Sequence, residues 1–578
     1  MSRRLSFTPI AAGDPGQFID DSLIQEKDEL DPNENFDATI NIDKIFKSLK
    51  SYGNYQIFFF VTCQIISISN AMSMVAGFFR LGNLVPDYSC ADEGNSWTLE
   101  AATVKKNSTF ACLMVRNCTD LSTKNHWYSM YEEFEWVCEK DHFRATMQSL
   151  FPIGVFFGFM ISGHISDYFG RKWIMFIGEV YSLASGLICA WSPSFSVYLW
   201  ISAVGSLIGP IGASASFSLI VESVNPKYRL LQGFSFQYSI GLMLAGILAN
   251  YTKHWRYHLT IANLVSLPAL FMILKLEESP RFLLQKQKFV EAAAVMTRIA
   301  KFNGFKDVKF TAKEMKQIHR NHQKLEKNSQ EQQQKTEKRY TSLDLFANWK
   351  MTSYAIAQML TGITMNIVND VLFYNIQDLS GSPFMNTFLM GALRLWTPFA
   401  AFYLENGTKT IGRWKLLVFS QGAVCLLFSF MFFIDVFGLN SSLLRSIGTG
   451  SVLIGYTLES GLVWIAYKLY TTELFPTCIR SIALSTFSCV SMIGSMATPQ
   501  LTYISRFWHP APYSGAALLA GLSTTFAIMF LPETHFVALP DTITEAANRK
   551  TLYKETNTEA FLPLSQHDKK QSIVENEP

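Results

Sequence analysis

Acidic and basic side chains recur at the same spacing in the two halves of this chain. Glu222 and Arg229 are seven residues apart in ESVNPKYR, and Glu473 and Arg480 are seven apart in ELFPTCIR. Each stretch is predicted to be helical from the Glu to the Arg, since a seven-residue step returns to nearly the same helix face. Carboxylates and guanidinium groups so placed can make and break ion pairs, which is the chemistry of a gate. A static salt bridge that only marks topology is the alternative.

A second charged motif also occurs twice. GHISDYFGRK begins at Gly163, and its weaker counterpart ENGTKTIGRWK begins at Glu405, with Lys409 where an Asp is expected. In the first copy we predict a compact loop, because glycines allow a tight turn and a carboxylate is favoured near a helix N-terminus. The candidate gating residues of both motifs are Gly163, Asp167, Gly170, Arg171, Glu222, Arg229, Arg413, Glu473 and Arg480.

The repeated motifs predict two homologous halves. The step from Glu222 to Glu473 is about 250 residues. The step from Glu278 in EESPRF to Glu533 in PETHF is nearly the same. Internal duplication in a helical membrane chain is typical of a secondary transporter, whose substrate site lies at the interface between the repeats.

The composition indicates a polytopic membrane protein. Of 578 residues, 49% are hydrophobic and 16% are charged, against roughly 25% charged residues in soluble domains. The net charge of +3 gives no reason to expect nucleic acid as a partner. The first 40 residues are acidic and polar, so we predict no cleaved signal peptide. The sequence has no Walker-type loop, no His-Glu-x-x-His helix and no histidine cluster, so neither an enzyme nor a cofactor or metal is expected.

Twelve apolar runs of about 20 residues are long enough to cross a bilayer. They predict an all-α polytopic membrane protein with twelve transmembrane helices in two six-helix halves. The predicted regions are an N-terminal tail and lead-in (1–54), a first six-helix bundle (55–275) with a long outer loop (80–145), a linker (276–350), a second bundle (351–531) and a C-terminal tail (532–578). In the linker, KFVEAAAVMTRIAKF predicts an amphipathic helix on the inner membrane surface.

Basic residues predict the orientation. Arg171, Lys172, Arg413, Lys415 and the lysine-rich stretch 301–350 all fall on one side of the predicted bundle. The positive-inside rule makes that side cytoplasmic, together with both termini. A plasma membrane reached by the secretory route is the predicted location.

The loop on the opposite side carries signals of secretion. It contains four cysteines and two glycosylation sequons, which begin at Asn107 and Asn117. Four cysteines in an oxidising compartment predict two disulfides, although three pairings remain open. The cysteines are Cys90, Cys112, Cys118 and Cys138.

The ordered motifs resemble those of the major facilitator superfamily, and within it the organic ion transporters that carry organic cations, carnitine and organic anions. The resemblance covers nearly all of 40–545 and includes EWVCEK, GHISDYFGRK, NPKYR, HWRYHLTIANLVSLP, EESPRF, TTELFPTCIRS and LPETHFVALPDTITEA. It implies a central cavity that opens alternately to the two sides, with helices one, two, four, five, seven, eight, ten and eleven as its lining.

Ionisable residues inside such helices are costly, so each is a functional candidate. Arg394 lies near the middle of helix eight in MGALRLWTPF. The cation carriers of the resembled family have an acidic residue in the matching segment. This reversal of sign favours an anionic or zwitterionic substrate. A structural ion pair between Arg394 and Asp370 is the alternative.

Helix ten supplies two further candidates. Trp464 and Lys468 are four residues apart and share a helix face, and they match positions where the resemblance implies pocket aromatics. Glu459 is nine residues from Lys468, about half a turn away on a straight helix. We therefore predict Trp464 and Lys468 in the cavity and Glu459 as a packing or gating partner. Alternatively, Lys468 extends to the interface.

Three more positions depart from or match the resembled family. Met492 falls where cation carriers have Asp and anion and carnitine carriers have Arg, so it removes the usual charge selector. Leu360 replaces one of the aromatic residues of the cation carriers, as do Ala213 and Ser353. Tyr238 matches an aromatic residue of the anion carriers. Core packing is the alternative for any single aromatic.

The predicted function is polyspecific transport of small organic ions by alternating access, leaning to anions or zwitterions. One alternative is an organic cation transporter that draws its negative charge from Glu459 or Asp370. Another is a transport-inactive receptor or scaffold that signals through its tails. The expected partners are a small organic ion and the lipid bilayer. Whether an ion is co- or counter-transported, and whether proteins bind the tails, stays open.

Overall fold

The computed structural model describes residues 45–534, with longer gaps at 80–85, 101–107, 224–235, 321–341 and 404–411 and several gaps of one to five residues. Residues 1–44 and 535–578 lie outside it. Nine helical segments among the described residues are long and apolar enough to cross a membrane. Helices also cover part or all of each of the remaining predicted spans, so the chain folds as an all-α polytopic protein of two six-helix halves.

The first half begins with one spanning helix, continues through a small module and returns to the bundle. Its elements are α1 (Asn54–Phe78), β1 (Asp87–Asp92), β2 (Asn95–Leu99), α2 (Ser108–Arg116), β3 (Leu121–Lys124), α3 (Met130–Glu133), α4 (His142–Phe169), α5 (Arg171–Ala190), α6 (Phe195–Ser223), α7 (Gln237–Thr252), α8 (Trp255–Leu264) and α9 (Leu267–Leu274). The predicted sixth span is divided into α8 and α9. Pro268 accounts for the break, because a proline cannot donate a backbone hydrogen bond and clashes with the preceding turn.

A linker and the second half follow. The elements are α10 (Pro280–Gln285), α11 (Phe289–Phe302), a 3-10 turn (Ser342–Phe346), α12 (Trp349–Tyr374), α13 (Pro383–Arg394), α14 (Arg413–Val436), α15 (Ser442–Thr457), a π-helical segment (Leu458–Val463), α16 (Trp464–Leu474), α17 (Arg480–Ile504) and α18 (Ala511–Phe530). The predicted tenth span is thus a continuous helix made of α15, the π-helical segment and α16. Hydrophobic periodicity does not reveal such a segment.

The module comprises residues 87–134 and contains a small sheet that the twelve predicted spans did not include. Its three antiparallel strands have the order β2-β1-β3. Cys90 lies on the central strand, opposite Trp97 and Leu121. A disulfide joins Cys90 to Cys118, so the sheet is tied covalently to the end of α2.

The two halves pack together on the side that carries the module, here called the module side. One apolar cluster contains residues of both halves and of the module. Phe78 of α1 stacks on Phe373 of α12 with ring centroids 4.7 Å apart, and Phe79 meets Phe384 of α13 edge-on at 5.8 Å. On the opposite side, the linker side, each half has its own cluster. The described apolar cores therefore join the halves at one side of the membrane.

The linker helix α11 packs its buried apolar face against the first half. Ala292, Val295, Met296 and Ile299 are buried in the apolar cluster of the first half. Asn303, at the end of α11, accepts a hydrogen bond from the backbone N–H of Tyr55 at 2.8 Å. The predicted amphipathic helix is present, and its apolar partner is supplied by α1 and the linker. Its location at the inner membrane surface stays a prediction.

Candidate substrate site and gating motifs

Helices α7 and α13 bring the two halves into close contact. A Cβ on Gly391 of α13 would lie 2.6 Å from the backbone oxygen of Ser239 and 2.9 Å from the backbone nitrogen of Met243 on α7. A side chain does not fit at that distance, so glycine allows the helices to approach. This contact positions the residues that follow Gly391 against the first half.

Arg394 lies one turn beyond that contact, at the end of α13. Its guanidinium carbon is 4.3 Å from the ring centroid of Tyr238 on α7, and its Nη2 donates a hydrogen bond to the backbone oxygen of Ser460 at 3.0 Å. The Tyr238 hydroxyl in turn approaches the sulfur of Met74 on α1 at 3.5 Å. Arg394 therefore joins both halves through a cation–π contact and a neutral carbonyl. Within the described residues it forms no ion pair, so the alternative pairing with Asp370 is wrong.

The carbonyl that binds Arg394 belongs to the π-helical segment. Such segments leave the regular i to i−4 ladder and are frequent at functional sites. Gly461 follows Ser460, and a Cβ on Gly461 would lie 2.6 Å from the Thr397 hydroxyl. The segment also shifts the helical phase, so the straight-helix spacing that predicts Glu459 half a turn from Lys468 does not apply here.

Lys468 and Trp464 lie together, as their spacing predicts. The Lys468 ammonium is 5.9 Å from the ring centroid of Trp464 and 3.3 Å from the hydroxyl of Ser488 on α17. Met492 lies one turn beyond Ser488 on α17 and is half-buried. The face of α16 that carries Lys468 therefore meets the face of α17 that leads to Met492.

Asp370 and Leu360 both lie on α12 and are half-buried. Asp370 faces Ser495 of α17. Asn366, one turn earlier, donates a hydrogen bond to the backbone oxygen of Ser491 at 2.7 Å. Asp370 is thus directed to the α12–α17 contact, whereas Arg394 is directed to α7 and the π-helical segment.

The first-half gate centres on Arg171, the first residue of α5. Its guanidinium pairs with Asp167 at 2.9 Å and with Glu222 at 3.2 Å, and it stacks on the ring of Phe282 at 4.2 Å. The backbone N–H of Arg171 donates to Glu278 at 3.0 Å. A carboxylate at a helix N-terminus satisfies free N–H groups and matches the helix dipole.

The described contacts of the second-half gate repeat this arrangement. Arg413, the first residue of α14, pairs with Glu473. The backbone N–H of Trp414 donates to Glu533 at 3.3 Å, and the Thr534 hydroxyl donates to Glu473 at 2.9 Å. All these motif contacts lie within one half, so the described gates connect helices of the same bundle.

Two predictions about the gate sequences were wrong. Gly163 and Asp167 lie on α4. Gly170, at φ +98°, is the single residue between α4 and α5, so the predicted loop is reduced to one residue. The stretch from Glu473 to Arg480 is not one helix, because α16 ends at Leu474 and α17 begins at Arg480. Pro476 explains this break, since it disfavours helix in the residue before it. Arg229 and Lys409 lie outside the described residues.

The module carries three of the four predicted disulfide cysteines and the described glycosylation position. Cys90 pairs with Cys118, and Cys112 is also disulfide-bonded. Asn117 is exposed just after α2. Asn107 and Cys138 lie outside the described residues.

A clamp that the sequence did not reveal fixes the module to the bundle. Arg256 pairs with Glu133 and donates to the backbone oxygens of Ala190 at 2.7 Å and Ser192 at 3.2 Å. The Trp255 indole also donates to Glu133 at 2.7 Å. No local spacing links residues more than 120 positions apart, so only the tertiary fold could show this clamp.

The sequence also missed two partners near the candidate site: the Ser460 carbonyl and Gln421, which contacts Glu459. The adjacent Ser460 and Gly461 are a weak signal for a helical irregularity. By contrast, Glu278 and Glu533 could have been identified as gate residues, since their motifs recur at the same offset.

Comparisons with known proteins agree with this architecture. A family model described as sugar (and other) transporter matches residues 109–544. The organic cation transporter-like protein of Drosophila melanogaster is 27% identical over 91% of this chain and 96% of its own length. Human solute carrier family 22 member 2 is 28% identical over 76% of this chain and 75% of its own length. The human organic cation/carnitine transporter 2 is 26% identical over 71% of this chain and 70% of its own length.

Solved structures show the same fold. The xylose transporter XylE from E. coli, in an inward open conformation, covers 84% of this chain and 98% of its own, with a TM-score of 0.56 and 16% identity. The matching family consists of solute transporters, not enzymes. The chain belongs to the sugar (and other) transporter family of the major facilitator superfamily, and the proteins it resembles include ones named organic cation transporter-like protein and organic cation/carnitine transporter 2.

Proposed function

We propose that this protein carries small organic ions across the plasma membrane by alternating access, with a preference for anions or zwitterions that bear a carboxylate. The single observation that supports this preference is Arg394, a half-buried guanidinium held by a ring and a carbonyl, with no acidic partner among the described residues. A guanidinium can hold a carboxylate through two parallel hydrogen bonds. The relatives support the wider class of small organic ions, since they are named organic cation and organic cation/carnitine transporters.

The same proposal assigns the two sides of the membrane. The module side is extracellular, with glycans on Asn107 and Asn117, and the linker side and both termini are cytoplasmic. The halves share an apolar cluster at the module side and have separate clusters at the linker side. This arrangement fits a state closed to the outside, and the domain boundaries given above then separate two bundles that rock about the α7–α13 contact.

Positive charge continues toward the linker side. Lys468 lies eight residues after Ser460, about 12 Å along the helix axis at 1.5 Å per residue. Its described contacts are the Trp464 ring and a neutral hydroxyl. We infer that an anion released from Arg394 meets a second cation on its way to the cytoplasm, while Met492 on the adjacent α17 adds no charge.

The test is initial uptake of a radiolabelled carboxylate and a quaternary ammonium compound, normalised to surface protein. Wild type should prefer the carboxylate, Arg394→Lys should retain a reduced preference, and Arg394→Gln should lower carboxylate uptake by about tenfold or more, the cost of one charged hydrogen-bond pair. Arg445→Gln, at an exposed position on α15, is the matched control. If wild type carries the ammonium compound alone and Arg394→Gln leaves that uptake unchanged, the organic cation alternative replaces this proposal.

A further inference from the structure

Glu459 is a fully buried carboxyl group that the transport proposal does not use. Its side chain has 0% exposure in the π-helical segment. It contacts α14, where the Gln421 amide nitrogen approaches Glu459 Oε1 at 3.4 Å. A carboxyl group in the dry interior of a membrane bundle is costly and is a functional candidate for that reason.

Two oxygens in this contact have no hydrogen-bond partner among the described residues. They are Oε2 of Glu459 and Oε1 of Gln421. Both are acceptors while Glu459 is ionised, so neither can satisfy the other. A proton on Glu459 Oε2 supplies the missing donor: the acid O–H can bond the amide oxygen while the amide N–H bonds the acid carbonyl. One proton thus satisfies both buried atoms in a cyclic acid–amide pair.

No cation neutralises Glu459 in the described structure. The π-helical segment packs against α12, α13, α14, α15 and α16. The charged or titratable side chains that these helices carry are Lys350, Tyr354, Asp370, Tyr374, Arg394, Arg413, Lys415, Cys425, Asp435, Arg445, Tyr456, Tyr467, Lys468, Tyr470 and Glu473. Arg394 and Lys468 are bound to Ser460 and Ser488, and Arg413 is paired with Glu473. A buried carboxyl without a cation is stable when it takes up a proton.

We propose that Glu459, with Gln421, is the proton-binding site that couples proton entry to substrate transport. This inference rests on the proposed function and names its co-transported ion. The step is a protonation: the carboxylate gains one proton and becomes a carboxylic acid, and no other covalent bond changes.

The coupling follows from the adjacent residue. Ser460, whose carbonyl holds Arg394, directly follows Glu459 in the same π-helical segment. An ionised Glu459 adds negative charge close to the cation that binds the anion, whereas a protonated Glu459 removes it. Proton and anion therefore favour each other's binding, and the coupling is reciprocal. The predicted mode is symport of an organic anion with a proton.

The first test measures carboxylate uptake by the full-length protein in proteoliposomes at several external pH values. Carboxylate uptake by wild type should rise about fivefold or more as the medium is acidified. This factor is the lower range of typical coupling. Glu459→Gln should retain uptake but lose most of that dependence. Glu179→Gln, which alters another buried carboxyl in α5, is the control and should keep it. Unchanged pH dependence in Glu459→Gln would overturn the proposal while leaving organic ion transport intact.

The second test does not depend on transport. Infrared spectra of the purified protein should show the carbonyl stretch of a buried protonated carboxyl group, and Glu459→Gln should remove one such band that Glu179→Gln keeps. Thermal unfolding of both variants checks that they are folded. Identical bands in wild type and Glu459→Gln would overturn the assignment. A band that disappears in Glu459→Gln in a protein that takes up neither test ion would support proton binding and reject both co-transport and the proposed function.

Discussion

Two cations of the first half are paired with carboxylates at the membrane surfaces, whereas two cations of the second half lie inside the membrane against neutral partners. In the first half Arg256 pairs with Glu133 on the module side, and Arg171 pairs with Glu222 on the linker side. In the second half Arg394 and Lys468 contact a carbonyl and a hydroxyl. Paired charges fix helices relative to one another, while cations with neutral partners remain able to bind an anion. The first half therefore provides a frame, and the second half provides the charges that act on substrate.

The duplicated gates refine this comparison. Both copies place an Arg at the start of a helix, pair it with a Glu and put a second Glu on the backbone N–H groups. The first copy adds Asp167, whose side chain is 72% exposed and lies at the edge of the cluster. The second copy has Lys409 at that position. The shared part is thus the Arg–Glu pair and the carboxylate at the helix N-terminus, and the Asp is an addition of the first half.

The largest expected difference between the halves is in stability. Arg256→Gln leaves Glu133 half-buried beside the Trp255 indole without its cation and breaks the clamp to Ala190 and Ser192, so unfolding free energy should fall by about 3 kcal/mol. Arg394→Gln removes a contact to a neutral carbonyl and should cost about 1 kcal/mol. Thermal unfolding of purified protein and the fraction that reaches the cell surface would measure both. If Arg394→Gln proved the more destabilising, the roles assigned to the two halves would be reversed.

A smaller effect should separate the two gates. Glu278 accepts from the backbone N–H groups of Arg171, Lys172 and Ser279, whereas Glu533 accepts from those of Trp414 and Thr534. Glu278→Gln should therefore destabilise by about 1–2 kcal/mol, and Glu533→Gln by about 1 kcal/mol or less.

Thermal unfolding, together with uptake normalised to surface protein, distinguishes these gate variants. Glu291→Gln is a suitable control, since Glu291 is exposed on α11 and pairs with Lys288 three residues earlier. Equal losses at Glu278 and Glu533 would mean that the number of N–H groups bound does not decide the difference between the gates.

Much of this architecture could be predicted because local sequence patterns determine it. The twelve spans follow from apolar runs, and the offset from Glu222 to Glu473 reveals the duplication. The approach of Lys468 to Trp464 follows from four-residue helical spacing. Each of these signals lies within a few turns of one helix or is repeated in the other half.

The contacts that could not be predicted depend on long-range packing. Glu133 and Arg256 meet because the module folds back onto α8, and no spacing encodes that return. The π-helical segment changes the phase of a helix without changing its hydrophobicity, so Glu459 and Ser460 could not be oriented from sequence. The resemblance alone predicts Leu360 as a pocket residue, and its role stays a prediction.

The smallest expected effect extends the comparison to pH. Burial raises the pKa of Glu132, in α3 of the module, from 4.5 to about 8. Between these two values the folded module keeps the proton while the unfolded chain loses it, so module stability should fall as the pH rises from about 4.5 to 8. Glu132 is only half-buried, and solvent screening should limit the change to about 1 kcal/mol.

Hydrogen exchange of the module amides would detect it. Glu132→Gln should make exchange nearly independent of pH after correction for its intrinsic rate, and the exposed Glu100→Gln should not. If Glu132→Gln left the pH dependence unchanged, burial of this carboxyl would not control the stability of the module. The stability that the first half provides would then not depend on pH through Glu132.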